Sequence, residues 1–246
     1  MKASLLAVLF LLTCLLGAGC GGKDSGENVG NGDDVEQVDD GSGSIKRRDL
    51  ESLPAVDAYL PPLDDGRVRL APPTGWRPLA RDTKYLARFV QGEATQLPRI
   101  AVTASDSPSP EVTNATEDNI EELIAPLTAK SKEGKRKPIE PVRPIILGDQ
   151  VFARHVRIAR YNDEPCAIVS LQTVHDGRMY TVELYVKAGS DGSEYAKFLK
   201  QHQDDAYAVA ANLKFGDDPV PAPVAPPAEE KPAEEKPAED ASAESP

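Results

Sequence analysis

The stretch VSLQTVHDGRMYTVELYV, residues 169–186, decides the fold. Asp176-Gly177 stands between two runs of β-branched and aromatic residues, the composition of a two-residue type I′ hairpin turn. A turn of that length sets Thr173 opposite Tyr180, Leu171 opposite Val182 and Val169 opposite Leu184. Val169, Leu171, Val182 and Leu184 then share one face. A slip of one residue would scatter them over both faces, so turn and pattern support each other. The opposite face carries Ser170, Gln172, Thr181 and Glu183.

The preceding segment extends the pattern. If Asn162–Pro165 form a four-residue turn, Ile158 faces Val169, Val156 faces Leu171, and Phe152 joins the same apolar face. His155 and Arg157 then fall on the polar face, with Arg157, Ser170 and Glu183 in one cross-strand row and His155 diagonal to Ser170. Three antiparallel strands sharing one apolar face need a cover, and two helices are available. Ile120, Leu123, Ile124 and Leu127 recur at helical spacing after a possible N-cap, Thr116. Pro126 lacks the amide that continues a helix, which predicts a bend or an end near Ala125. The second helix starts near Ser193 and buries Tyr195, Phe198, Leu199, Ala206, Val209, Ala210 and Leu213, with Gly216 as its stop. His202 lies inside that stripe and reads as a packed core histidine.

Upstream, RVRLAPPTGW (67–76), KYLARFV (84–90) and RIAVTAS (99–105) read as three more strands between Pro- and Gly-bearing turns. The fold class expected is α+β: an antiparallel sheet of about six strands with two principal helices. A strand, PPTGW, further strands, a helix, a meander and a final helix follow in order through most of 66–216. In that order and in the Pro-x-Gly-Trp pattern the chain resembles the PsbP-like fold. The resemblance implies binding and assembly roles rather than a catalytic motif, and carries over no partner. Trp76 reads as a core aromatic at the sheet's first turn.

The flanks differ in composition. Residues 1–19 read as a signal peptide: Lys2 precedes an apolar run from Leu5 to Leu16, and small residues lead to Cys20. Twelve apolar residues make a helix of about 18 Å, shorter than the ~30 Å hydrocarbon core, so a permanent span is not expected. LLGAGC (15–20) resembles the bacterial lipobox, which implies cleavage before Cys20 and acylation of it. The alternative is an ordinary signal peptide and a secreted or periplasmic protein. Residues 20–50 are rich in Gly, Asp and Ser and read as a flexible acidic tether. Residues 217–246 repeat Pro-Ala-Glu motifs and read as a disordered tail. The globular domain is expected over 51–216. Most of the formal charge of −12 lies in the flanks, so the domain is nearly neutral. With the export signal, this balance disfavours a nucleic-acid partner. The basic run KSKEGKRK (130–137) reads as a solvated loop.

Chemistry-bearing motifs are sparse. GxxxxGK[ST] and GxGxxG do not occur, and the histidines at 155, 175 and 202 lack zinc-type spacing, so no cofactor and no metal are expected. Cys166, beside Pro165, reads as a small apolar residue near a turn. Ser170 with His155 is the best catalytic pair, but AIVSLQT has no nucleophile elbow. The sequence therefore predicts a non-enzymatic, membrane-anchored envelope lipoprotein. Its binding face is His155, Arg157, Ser170, Gln172, Thr181 and Glu183, for an envelope protein or a small ligand. The alternatives are a hydrolase using Ser170 and His155, and a structural cell-wall spacer.

Overall fold

A computed structural model describes residues 45–133, 138–189 and 194–216 of the 246-residue chain. The signal peptide, Cys20, most of the tether, the second half of the basic run, Ser193 and the Pro/Ala/Glu tail lie outside the described residues. The meander forms as β7 (Gln150–Tyr161), β8 (Glu164–His175) and β9 (Arg178–Lys187). Asp176 and Gly177 have φ of 48° and 71°, and the expected β8–β9 register holds pair by pair, Leu171 opposite Val182 and Val169 opposite Leu184.

The β7–β8 turn is tighter than its composition suggested. Asn162 and Asp163 both take positive φ, 49° and 64°, so the loop has two residues and Pro165 lies inside β8. Val156 therefore faces Val169, and Ile158 faces Ala167. The displacement from the expected register is two residues, one full side-chain period, so every residue keeps its face.

The sheet has eight strands rather than six. Beside the meander its members are β1 (Lys46–Arg48), β3 (Arg77–Pro78), β4 (Ala87–Val90), β5 (Arg99–Asp106) and β6 (Glu140–Leu147), while β2 (Val68–Arg69) and β10 (Lys214–Phe215) lie outside it. The strand order is β1-β6-β7-β8-β9-β5-β4-β3, with β10 and β2 pairing apart. All neighbours in the large sheet are antiparallel except β1 with β6, which run parallel. Sequence reasoning missed β6 because Pro141 and Pro144 argue against a strand. Both precede the stretch, Ile145–Leu147, that β1 pairs, so the prolines occupy an edge where a missing amide is tolerated. β1 itself falls within residues 20–50, the segment read as tether, and is a strand paired with β6.

The two helices cover opposite faces, not the same one. α2 (Tyr195–Ala211) packs Leu199, Ala206, Tyr207 and Val209 on the apolar face, with Phe152, Val156, Val169, Leu171, Val182 and Leu184. Trp76 is buried in this core and meets the ring of His202 edge-on at 6.4 Å. α2 ends at Ala211, capped at Asn212, and the chain continues into β10, so Gly216 is not its stop. α1 (Ile120–Glu133) lies on the other face, where Ile120, Leu123, Ile124 and Leu127 pack against Val142, Ile146, Val151, Ala153 and Val174. Thr116 does not cap it: the Thr116 amide donates to Asn119 Oδ1 at 2.7 Å, before the helix begins.

α1 runs through Pro126 without ending at Ala125. Proline has no N–H for the carbonyl four residues back, here Glu122. The hydroxyl of Ser109, itself buried, donates to that carbonyl at 2.9 Å and replaces the missing bond.

Two stability outcomes follow. Leu171→Ala, at a site with no solvent exposure, should cost roughly 2–5 kcal/mol in urea denaturation. Ser109→Ala should cost about 1–3 kcal/mol by orphaning the Glu122 carbonyl. In a Pro126→Ala background, where the helix amide is restored, that cost should shrink measurably.

Candidate functional site

The β-sheet register lays the second face out in rows. His155, Ser170, Glu183, Ala101 and Arg88 stand in one row across β7, β8, β9, β5 and β4. Arg157, Ile168, Tyr185 and Arg99 form the next, and Ala153, Gln172, Thr181 and Thr103 the row on the other side. All six residues expected on the polar face are therefore there. The row membership differs from expectation: His155, not Arg157, is directly opposite Ser170, because the shorter turn moves β7 by two residues.

Glu183 is the hub. Its Oε1 accepts from Arg157 Nη2 at 3.0 Å and from Ser170 Oγ at 3.1 Å, and its Oε2 accepts from Tyr185 Oη at 2.5 Å. Burial and the neighbouring Glu183 charge hold the Tyr185 phenol well above its usual value, so it remains a donor. Ser170 and Thr181 are buried at the floor. Gln172 Nε2 meets Met179 Sδ at 3.6 Å, while its Oε1 is buried without a partner. His155 Nδ1 is likewise buried and unpartnered. Arg157 remains open, its side chain 38% exposed.

This geometry does not assemble a hydrolytic pair. The Ser170 proton goes to a carboxylate rather than to His155, and only 2% of the serine is exposed. A nucleophile needs a base in hydrogen-bond reach and an approach for substrate. Cys166 is buried inside β8, packed with Ala159 and Ile168. Among the described residues no group of three or more His, Cys, Asp or Glu could hold a metal ion, and no helix is long and apolar enough to cross a membrane.

Sequence reasoning missed a second feature on this face. A cleft of about 250 Å³ opens where β4, β5 and β9 meet, with Arg99, Arg88, Lys84, Tyr85, Tyr161 and Tyr185 on its walls. Arg99 lies directly opposite Tyr185, and its guanidinium donates to Tyr161 Oη and sits 4.7 Å from that ring's centre. Tyr161 and Tyr185 meet edge-on at 6.2 Å. The signal was present in part, since β-alternation puts Arg99 on the Ala101 side of its strand. The β5–β9 pairing that brings it to Tyr185 links residues 86 apart.

No family model matches the chain, and no curated protein matches it. Solved structures similar at low identity include the following three. A protein from Bacteroides thetaiotaomicron VPI-5482 has 12% identity and a TM-score of 0.41, over 65% of this chain and 49% of that one. The match thus spans about half of the Bacteroides chain. Cyanobacterial PsbP (CyanoP) from Synechocystis sp. PCC 6803 has 13% identity and a TM-score of 0.40, over 65% of this chain and 94% of that one. LpqN of Mycobacterium tuberculosis, described as involved in cell envelope biogenesis, has 11% identity and a TM-score of 0.40, over 61% and 83%. Similarity at this level assigns no function, which must be read from this chain's own residues.

The environment of His155 makes a pH-dependent outcome testable. Burial, then the Arg157 charge, lowers its pKa below the ordinary 6.5. A histidine depressed in the folded state stabilises the fold above the unfolded pKa, and that contribution is lost as pH falls. His155→Gln should therefore flatten the fall in stability below about pH 6.5, read from urea midpoints against pH.

Proposed function

We propose that the chain is a non-catalytic binding module of the cell envelope, held at a membrane by acyl chains on Cys20. The polar strip of the second sheet face is its contact surface for an envelope partner. One observation carries this reading. The row of His155, Ser170 and Glu183 runs between Ala153 of the apolar cluster under α1 and Ile168 of the cluster with Ala159 and Cys166. Arg157 and His155 lie on the strip with part of their surface open, above a floor of small buried polar residues. Arginine with a fixed carboxylate beside it is oriented for charge-assisted contacts to a partner. The Ser170 hydroxyl, held by Glu183, supports binding over hydrolysis.

The lipobox-like LLGAGC supports the anchor. Several acyl chains, at about 0.8 kcal/mol per buried CH2, would keep the protein on a membrane essentially permanently. Cys20→Ser should move it to the soluble envelope fraction or stall its processing; unchanged membrane retention would reject the anchor. Arg157→Ala should weaken capture of envelope partners from extract severalfold while leaving the melting temperature nearly intact. Ester or peptide turnover by the wild type that disappears in Ser170→Ala would overturn the binding reading in favour of a hydrolase.

A further inference from the structure

We propose that the cleft between β4, β5 and β9 binds a tetrahedral dianion, the phosphoryl group of a small molecule, with Arg99 as its seat. Arg88, Arg154, Arg157 and Arg178 each have a carboxylate within 4.0 Å: Asp82, Glu140, Glu183 and Asp64. Arg99 is 6% exposed, and among the described residues it has no carboxylate partner. Its hydrogen-bond partner is the phenol of Tyr161, a neutral group. A guanidinium cannot shed its proton at neutral pH, and a buried, uncompensated charge destabilises the fold. Burial and the nearby Arg88 both disfavour the charge further. A site so arranged lacks its counter-ion, and the cleft gives one access.

The walls suit an oxyanion. Arg99 contributes the donors that Tyr161 leaves free. Tyr161 Oη accepts from Arg99, so its own proton can go to a ligand. Lys84 and Arg88 add two cations on the same cleft, and Asp82 removes one, pairing with Arg88 at 3.3 Å. Three cations against one carboxylate leave two positive charges. A carboxylate would neutralise half of that, whereas a phosphomonoester carries about −1.5 to −2 at pH 7. The guanidinium fork also matches two phosphoryl oxygens at once. Beside the cleft, and sharing Asp82, Tyr85 and Arg88 with it, lies an apolar groove of about 130 Å³ lined by Leu60, Pro61, Leu63 and Leu79. An apolar substituent on the phosphoryl group has a place there. Free phosphate, a soluble phosphomonoester and a lipid headgroup share this chemistry. Partner capture by the strip is a separate property, tested at Arg157, so either can fail without the other.

The test is calorimetric titration of the purified full chain at fixed ionic strength in chloride. The probes are inorganic phosphate, phenyl phosphate, and phosphatidylcholine vesicles carrying phosphatidic acid. Saturable binding of at least one probe is expected, weakened roughly tenfold or more by Arg99→Met and partly retained by Arg99→Lys, which keeps the charge but loses the fork. Binding of a soluble probe assigns a soluble source, and binding of the vesicles alone assigns a headgroup; both support the site. Arg160→Gln, an exposed cation off the cleft, should bind as the wild type does. Without ligand, Arg99→Met should melt no lower than the wild type, because the uncompensated charge is gone. If that variant fails to fold, Lys84→Gln, at an exposed position, should weaken binding severalfold with an unchanged melting temperature. Absence of binding in every arm, or binding undiminished in the folded cleft variant, overturns the site.

Discussion

Four residues with positive φ, Asn162, Asp163, Asp176 and Gly177, close the two turns of the central meander. Two-residue loops with this twist match the twist of the strands they join, and they leave the pairing no slack. The long strands β7, β8 and β9 are thereby locked in register, and their period of two divides the side chains between two faces. Everything else is arranged on that division. α2 finishes the apolar face, α1 covers part of the other, and β5 extends the same rows toward β4.

The two faces are treated differently. The α2 side is largely apolar, and Arg154, half-buried there, is matched by Glu140 and by Tyr207 of α2. The α1 side is broken into two apolar clusters with polar rows between them. In a low-dielectric interior such groups need partners. Glu183 supplies three donors with one, while His155 Nδ1, Gln172 Oε1 and the Arg99 charge are left incompletely matched. Replacing unmatched polar groups by apolar ones is commonly neutral or stabilising. Buried polar atoms without a hydrogen-bond partner occur on the α2 side as well, at Trp76 Nε1 and His202 Nδ1.

Departures from local propensity are compensated by contacts far away in sequence. Pro126 in α1 is tolerated because Ser109, before the helix, reaches the Glu122 carbonyl. Pro141 and Pro144 are tolerated in β6 because they lie where no strand pairs outside them, and β1 joins only beyond that point. Neither compensation leaves a mark in the local pattern. For this reason the sheet is larger, and α1 longer, than propensity alone implied.

The sequence by itself determined which side chains face which way in the meander. The Asp176-Gly177 turn and the alternation of Val169, Leu171, Val182 and Leu184 express one local periodicity, and period two survives even a turn misjudged by two residues. It likewise determined that Ser170, Gln172, Thr181, Glu183, His155 and Arg157 share the polar face, and that His202 packs inside. Tertiary structure alone decided that His155, rather than Arg157, stands opposite Ser170, since this depends on the positive φ at both Asn162 and Asp163. It also decided that the helices take opposite faces, because an amphipathic stripe specifies burial but not the surface that buries it. The Arg99 cleft belongs to the same class. Arg88, Arg99, Tyr161 and Tyr185 come from four strands, and only long-range pairing brings their charges and hydroxyls to one place.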